Sequence, residues 1–193
     1  MGSSEGAMEP VYFNTTNDRK FTEISHLFAG SERPLRQLRH PVVEILDTDI
    51  ETVVRTKALA AYRAVQRPVL VEHGGVFIAH LQQLPGVMLK YMWDGLGSRV
   101  CDLLPPGADR RAVVRTALCY CDGRRRHVQV GEVHGTIAAS PRGDSDLKWD
   151  TIFIPADESS TLAELAQLSL AAKMCLAPAI QAYRGIARVL AAT

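Results

Sequence analysis

The middle of the chain carries the pattern that most restricts the fold. Val113 to Cys121 and Arg126 to Ile137 are two long runs of β type, and the turn pair Asp122-Gly123 follows the first of them. Together they predict a long antiparallel hairpin. The chain is therefore not all-helical, and the remaining segments have to be arranged around this ribbon.

Helical and strand-like segments alternate before the hairpin, and helical segments follow it. The spacing of Phe21, Ile24, Leu27 and Phe28 predicts a helix. The other predicted helices cover residues 50–66, 87–96 and 162–176, with a last one beginning near residue 178 after a proline break. The other predicted strands cover residues 11–13, 42–46, 69–71 and 76–78, with Gly74-Gly75 separating the last two. This order predicts a mixed α/β fold.

Length and charge set the broad class. A chain of 193 residues, 47% of them hydrophobic, suits one substantial domain or two lobes that share a core. With 22 basic and 21 acidic residues the net charge is +1, so we expect neither nucleic acid nor a membrane as partner. Four cysteines and no secretion signal favour a cytoplasmic protein. Residues 1–7 resemble a cloning remnant, which leaves residues 8–193 as a single domain.

The first candidate site is the polar turn from Asn14 to Lys20. It follows a predicted strand and begins a helix, where free N–H groups and a nearby ammonium suit a phosphate. It lacks the glycines of a P-loop. The alternative is an ordinary helix cap by Asn17 beside a surface lysine.

The second candidate is a group of carboxylates. Glu72 directly follows the buried run Val69 to Val71, and α/β proteins place catalytic groups at the ends of such strands. Glu44 and Glu72 together could hold Mg²⁺, with phosphate and water completing its shell. Asp47 and Asp49 are better explained as caps of the next helix.

The third candidate is the pair Trp149-Asp150. A tryptophan can stack on a nucleobase while the neighbouring carboxylate accepts hydrogen bonds from its N–H groups. The alternative is that Trp149 packs on the hairpin and Asp150 satisfies local backbone. Lys90 and Lys173 are further cations, and each alone could equally be a solvated lysine.

Taken in order, these motifs resemble the inosine triphosphate pyrophosphatase family, whose members hydrolyse deaminated purine nucleoside triphosphates to monophosphate and pyrophosphate. The match runs from about Tyr12 to Gly185. The segments that carry it are Thr15 to Lys20, Glu44, Pro68 to Gly75, Leu84 to Tyr91, Gly131 to Ile137, Pro141 to Gly143, Leu147 to Phe153, and Ala163 to Lys173.

The resemblance implies a fold, a reaction and a set of site residues. The fold is two α/β lobes around an elongated central mixed sheet, with the substrate cleft between them, and the assembly is a homodimer. The implied metal is Mg²⁺, with Mn²⁺ as an alternative, held by Glu44 and Glu72. The catalytic residues would be Glu72, His73 and Lys20. The substrate-binding residues would be Thr15, Asn17, Lys20, Lys90, Trp149, Asp150 and Lys173. Of these, Lys20, Lys90 and Lys173 would hold the phosphates, and Trp149 and Asp150 would hold the base.

Departures from the family pattern bear on substrate and catalysis. His73 stands where the family has the aspartate that serves the metal and the attacking water, and Ala177-Pro178-Ala179 stands where it has the residues that read a 6-keto purine. We therefore predict a hydrolase with altered base specificity. The alternative is a nucleotide-binding protein that no longer hydrolyses. His73 is either a replacement base or a side chain turned toward a main-chain carbonyl.

Overall fold

The computed structural model describes residues 9–144 and 148–192. The predicted remnant at residues 1–7 and the start at Met8 lie outside this part, as does Leu147 of the third candidate segment, so they stay predictions. The strands β1 to β7 are Val11–Asn14, Leu35–Leu38, Val69–Ile78, Pro85–Gly86, Arg111–Cys121, Arg126–Ile137 and Phe153–Pro155. The helices α1 to α6 are Asp18–Phe28, Ile50–Val65, Leu89–Leu96, Leu162–Leu168, Leu170–Leu176 and Ala179–Ala191. Two 3₁₀ segments cover Gly97–Leu103 and Lys148–Thr151.

One sheet joins all the described strands. Its order is β2-β1-β3-β5-β6-β7, and the short β4 pairs with β3 beside this path. β1 is parallel to β2 and β3, whereas β5, β6 and β7 run antiparallel to their neighbours. The predicted mixed α/β fold and its long hairpin, β5–β6, are confirmed.

Helices cover both faces of β3. Leu70 packs with α1 and α6, while its neighbours Val69 and Val71 pack with α2, because successive side chains of a strand point to opposite faces. A third apolar cluster surrounds Ile78 and Ile137 at the other end of the sheet. The two clusters around residues 69–71 form one lobe of the fold, and the cluster around Ile78 and Ile137 forms the other.

The sheet is split beside the middle of β3. β1 pairs with β3 at residues 69–70, and β4 pairs with it at residues 76–77. Between them, residues 71–75 pair with β5 on one side only, as far as the described strands go. The split exposes the strand edge that carries Glu72 and His73, and it positions the site.

The predicted break at Gly74-Gly75 is wrong, because β3 runs without interruption from Val69 to Ile78. Its ladder with β5 continues through both glycines. Gly75 instead allows a close approach, since a Cβ atom there would lie 2.8 Å from the carbonyl oxygen of Gly86.

The predicted strand at residues 42–46 is also wrong. The second strand is Leu35–Leu38, and Glu44 lies in the connection that follows it. The buried Asn14 side chain ends the pairing, because it bonds both the carbonyl oxygen and the N–H of His40, each at 2.9 Å. Pro41 then has no N–H to offer a neighbouring strand.

The helix boundaries follow the sequence with two differences. The segment predicted as one helix over residues 162–176 is divided at Ser169, whose extended backbone ends α4 and whose hydroxyl caps α5. The helix predicted from residue 87 begins at Leu89. The break at Pro178 is confirmed. In the described part of the chain, no helix has the length and apolar character needed to cross a membrane.

Candidate active site

A cavity of about 460 Å³ opens at the split in the sheet, between the lobes. One part of its lining, here called the charged wall, consists of Asn17, Lys20, Glu44, Lys57, Glu72 and His73. A second part, the apolar wall, consists of Trp93, Trp149, Ala177, Pro178 and Ala179. A group of three ionisable side chains, the buried triad, consists of Glu23, Asp150 and Lys173.

The start of α1 supplies the first residues of the charged wall. Asn17 caps the helix, its Oδ1 accepting from the Lys20 N–H at 3.2 Å. The Thr15 hydroxyl accepts from the Asn17 N–H at 3.1 Å and so shapes the turn, but Thr15 is not among the residues lining the cavity. The cap expected of Asn17 is confirmed, and Lys20 one turn later faces the cavity rather than lying on the outer surface.

Lys20 and Glu72 form an ion pair across the split. Lys20 Nζ lies 2.6 Å from Glu72 Oε2, and Glu72 is buried. Burial alone would raise the pKa of Glu72, but the charge and the hydrogen bond of Lys20 together outweigh it, so this pKa lies below its usual value. Glu72 is therefore a carboxylate at neutral pH.

Glu44 forms a second set of ionic contacts. Its Oε1 lies 2.7 Å from Lys57 Nζ and its Oε2 lies 3.3 Å from His73 Nδ1. The hydrogen bond from His73, with the charge of Lys57, lowers the pKa of Glu44 to about 2. Lys57 Nζ also donates to the main-chain oxygen of Glu72 at 3.1 Å, which links the two carboxylate residues.

The sequence analysis missed Lys57, although a signal was available. Lys57 lies on α2 three residues after Val54 and four before Ala61, in the stripe that faces the core. A lysine inside an apolar stripe needs a partner, and here the partners are Glu44 and the edge of β3.

His73 lies between two hydrogen-bond acceptors. Its Nδ1 faces Glu44, and its Nε2 lies 3.1 Å from the main-chain oxygen of Val87. The predicted alternative, in which His73 turns away to a main-chain carbonyl of the Gly74-Gly75 turn, is not observed, because the ring lines the cavity beside Glu44 and its carbonyl partner is Val87. In this arrangement His73 joins the connection carrying Glu44 to the segment before α3.

The buried triad joins α1 to the C-terminal helices. Lys173 is 2% exposed, its Nζ lies 2.5 Å from Glu23 Oε1, and it also pairs with Asp150 Oδ2. Burial raises the pKa of Glu23 despite the nearby Lys173 charge. Glu23 was missed in the sequence, although it lies three residues after Lys20 and hence on the same side of α1.

The apolar wall contains the two tryptophans. Trp149 packs against Trp93 of α3, with ring centroids 5.0 Å apart and the planes tilted by 53°. Ala177 and Ala179 line the cavity without a side-chain donor, as the sequence predicts. Lys90 lies at the rim, where its side chain is 81% exposed and 3.8 Å from Asp94.

The charged wall fits a divalent cation only in part. Carboxylate oxygens are the ligands that Mg²⁺ prefers, and Glu44 and Glu72 face the same cavity. Within residues 9–144 and 148–192, no three His, Cys, Asp or Glu side chains form a set that could hold an ion by themselves. A cation here would take its other ligands from phosphate oxygens and water.

Comparison with known proteins gives close sequence relatives. The profile of the Ham1 family matches residues 11–173. The chain is 34% identical to the dITP/XTP pyrophosphatase of Saccharolobus solfataricus over 153 residues, which are 79% of this chain and 80% of that protein. It is 33% identical to the inosine triphosphate pyrophosphatase of Yarrowia lipolytica over 160 residues, 81% of this chain and 84% of that protein.

Solved structures show the same fold at lower sequence identity. A HAM1 protein from Coxiella burnetii superposes with a TM-score of 0.80 at 22% identity, covering 96% of this chain and all of that one (100%). The Ham1 protein of Staphylococcus aureus superposes with a TM-score of 0.70 at 20% identity, covering 95% and 98% of the two chains.

Proposed function

The chain belongs to the Ham1 family, as its sequence predicts, and from that premise we propose that it hydrolyses a nucleoside triphosphate to the monophosphate and pyrophosphate. Its relatives bear the name pyrophosphatase, which is the enzyme class expected from the sequence. The observation that carries the proposal is the charged wall, because two lysine–carboxylate pairs meet there at an open strand edge beside the start of α1.

The charged wall would bind the triphosphate. Lys20 and Lys57 supply two ammonium groups, and the free N–H groups at the start of α1 favour a phosphate. Water adds across the anhydride between the α- and β-phosphates, and pyrophosphate leaves with its bridging oxygen. The lysines oppose the charge that develops on the leaving group. Lys173 was also predicted to hold phosphate, but its partners Glu23 and Asp150 favour a role beside the base.

Glu44 and Glu72 would hold the metal, for which we propose Mg²⁺ with Mn²⁺ as an alternative. The ion would neutralise phosphate charge and polarise the anhydride. A nearby imidazole suits Mn²⁺ better than Mg²⁺, because Mg²⁺ prefers oxygen ligands. His73 beside Glu44 therefore supports testing both ions.

The apolar wall and the buried triad would receive the base. Asp150 would accept hydrogen bonds from N–H groups of the base, and the base would stack on the Trp149 ring. Because Ala177 and Ala179 offer no side-chain donor, we propose an altered base specificity, with weak selection for a 6-keto group or a preference for an apolar substituent there.

The test of this function is pyrophosphate release over a panel of natural and modified nucleoside triphosphates, with Mg²⁺ and with Mn²⁺. We expect release from at least one member, with nucleoside monophosphate as the other product. Release of inorganic phosphate alone would contradict the proposed reaction, because it requires cleavage at the β,γ-anhydride.

The contacts of His73 favour a second candidate function, that of a nucleotide-binding protein without turnover. With Glu44 at one nitrogen and Val87 at the other, the ring is not free to take a proton from water. If His73 is the working base, His73→Ala should lose about 10²–10⁴-fold in turnover. If it marks lost catalysis, His73→Asp should raise turnover, and the unsubstituted protein should bind nucleotides without releasing pyrophosphate.

The assembly and the domain boundaries are further proposals. We propose a homodimer, as the family resemblance implies, built from single domains of residues 8–193. Light scattering coupled to gel filtration measures the mass in solution, and a value near 21.2 kDa would contradict the dimer.

A further inference from the structure

Both carboxylates predicted to hold metal already have cationic partners in the free protein. Glu44 contacts Lys57 through Oε1 and His73 through Oε2, at 2.7 and 3.3 Å. Glu72 contacts Lys20 through Oε2 at 2.6 Å. Three of the four carboxylate oxygens are therefore occupied by side chains of the protein itself.

The charges in this cluster also balance. Lys20 and Lys57 carry two positive charges, and Glu44 and Glu72 carry two negative ones. A divalent cation that enters alone and binds both carboxylates has to displace Lys57 or His73 from Glu44 while both lysines repel it. Mg²⁺ also gives up its water shell reluctantly, so two occupied carboxylates are a poor site for it.

We propose that Lys20 and Lys57 act as internal counter-ions, and that His73 occupies the second oxygen of Glu44, so that Glu44 and Glu72 do not hold a divalent cation in the free protein and the cation enters together with the triphosphate. This inference rests on the proposed function for the identity of the ligand, and it deepens that function by assigning to the protein's own cations control over when the carboxylates can bind a metal.

The arrival of that complex supplies new partners for every charge. The triphosphate oxygens attract the ammonium groups of Lys20 and Lys57, and the released carboxylates can then bind the cation. Positive and negative charges are exchanged in pairs, so no buried group is left without a partner. Lys57 is central to this exchange, because it also donates to the main-chain oxygen of Glu72 and so links both metal ligands.

The experiment is a titration of the free protein with Mn²⁺ alone, followed by electron paramagnetic resonance of the unbound ion. The unsubstituted protein should bind Mn²⁺ weakly. Lys57→Met removes one counter-ion and should tighten Mn²⁺ binding by roughly 5- to 150-fold, the usual range for coupling between two ligands. His73→Ala should tighten it in the same direction by a smaller factor.

Lys148→Met is the matched control. Lys148 is an exposed lysine that lines the same cavity, so its removal changes the net charge by the same amount without freeing Glu44 or Glu72. We expect Mn²⁺ binding close to that of the unsubstituted protein. Circular dichroism of each variant confirms folding, and Lys57→Gln replaces Lys57→Met if the latter fails to fold.

Two results would overturn the inference. One is that the unsubstituted protein binds Mn²⁺ alone as tightly as Lys57→Met does. The other is that Lys57→Met and Lys148→Met tighten binding equally, which would make the effect one of overall charge. The pyrophosphate assay tests the proposed function separately. If the variants change Mn²⁺ binding as expected but the protein releases no pyrophosphate, the proposed function is refuted and this inference stands.

Discussion

The charged wall and the buried triad both contain lysines paired with carboxylates, but they differ in how much water reaches them. The difference lies in the lysines: in the charged wall the side chains of Lys20 and Lys57 are 32% and 15% exposed, although that of Glu72 is only 9% exposed. In the triad, the side chain of Lys173 is 3% exposed and that of its partner Asp150 is 11% exposed. A charge that water can reach tolerates the loss of its partner, whereas a buried charge does not.

The difference in exposure gives lysine–carboxylate ion pairs two different roles in this protein. The pairs of the charged wall can exchange partners with a ligand, which suits a binding site for phosphate and metal. The triad instead ties α1, the 3₁₀ segment Lys148–Thr151 and α5 together. We therefore expect substitutions in the charged wall to reduce activity with little change in stability, and substitutions in the triad to reduce stability in addition to any effect on binding of the base.

The largest expected effect is the loss of activity in Glu72→Gln. The variant keeps the size of the side chain but removes the proposed metal ligand and the partner of Lys20, so kcat/KM for pyrophosphate release should fall by about 10²–10⁴-fold. Its unfolding temperature should change little, because Lys20 is partly solvated. A loss below about tenfold would remove Glu72 from the proposed catalytic residues.

Glu132→Gln is the control for that variant. Glu132 also pairs with a cation, Arg115, at 3.0 Å, but it is not among the residues that line the cavity. The substitution removes the same charge from the same sheet. Equal losses in the two variants would show that activity depends on the sheet's overall charge and not on Glu72.

The next largest effect should be the loss of stability in Lys173→Met. Removing the shared cation from Glu23 and Asp150 should lower the free energy of unfolding by on the order of 3 kcal/mol. Urea unfolding measures it, with the exposed Lys148→Met as reference. Adding Glu23→Gln to Lys173→Met should recover part of the loss, and no recovery would contradict the account of the triad as a charge cluster.

The sequence predicts residues of the two walls better than it predicts the buried triad. Lys20, Glu72 and Trp149 could be found because each lies within a short motif beside a predicted strand or helix. The contact of Lys173 with Glu23 joins residues far apart in sequence, and no local pattern reports such a pair. The split beside β3 likewise depends on where β1 and β4 stop pairing, which is a property of the assembled sheet.

A smaller effect is expected for base selectivity. A site that hydrogen-bonds a substrate group can select by about 10⁴–10⁵-fold, whereas an apolar pocket selects by about 10–200-fold. Since Ala177 and Ala179 provide no side-chain donor, kcat/KM for inosine triphosphate should exceed that for adenosine triphosphate by less than about a hundredfold. A larger ratio would contradict the altered specificity proposed for the apolar wall.

The smallest expected effect concerns α2, the helix that carries Lys57. Asp49 caps it, accepting from the N–H of Thr52 at 2.8 Å and from its hydroxyl at 2.7 Å. Asp49→Ala should therefore lower the free energy of unfolding at pH 7 by about 1 kcal/mol. Asp49→Asn should cost less, because asparagine caps helices nearly as well as aspartate.

The pH dependence of these two variants sharpens the test. In the folded protein, the hydrogen bonds that Asp49 accepts from the Thr52 side chain and from the backbone lower its pKa below the ordinary value of 3.8. The ionised cap therefore stabilises the fold fully above pH 3.8, the ordinary pKa of aspartate. This stabilisation is lost as the pH falls through the lower pKa that Asp49 has in the folded protein. The difference in unfolding free energy between the unsubstituted protein and Asp49→Ala should shrink over that interval, while the difference between Asp49→Asn and Asp49→Ala should stay constant.

The ratio of activities on inosine and adenosine triphosphates should not change in either variant, since α2 contributes to the charged wall and not to the apolar wall. A changed ratio would show that the two walls are not independent.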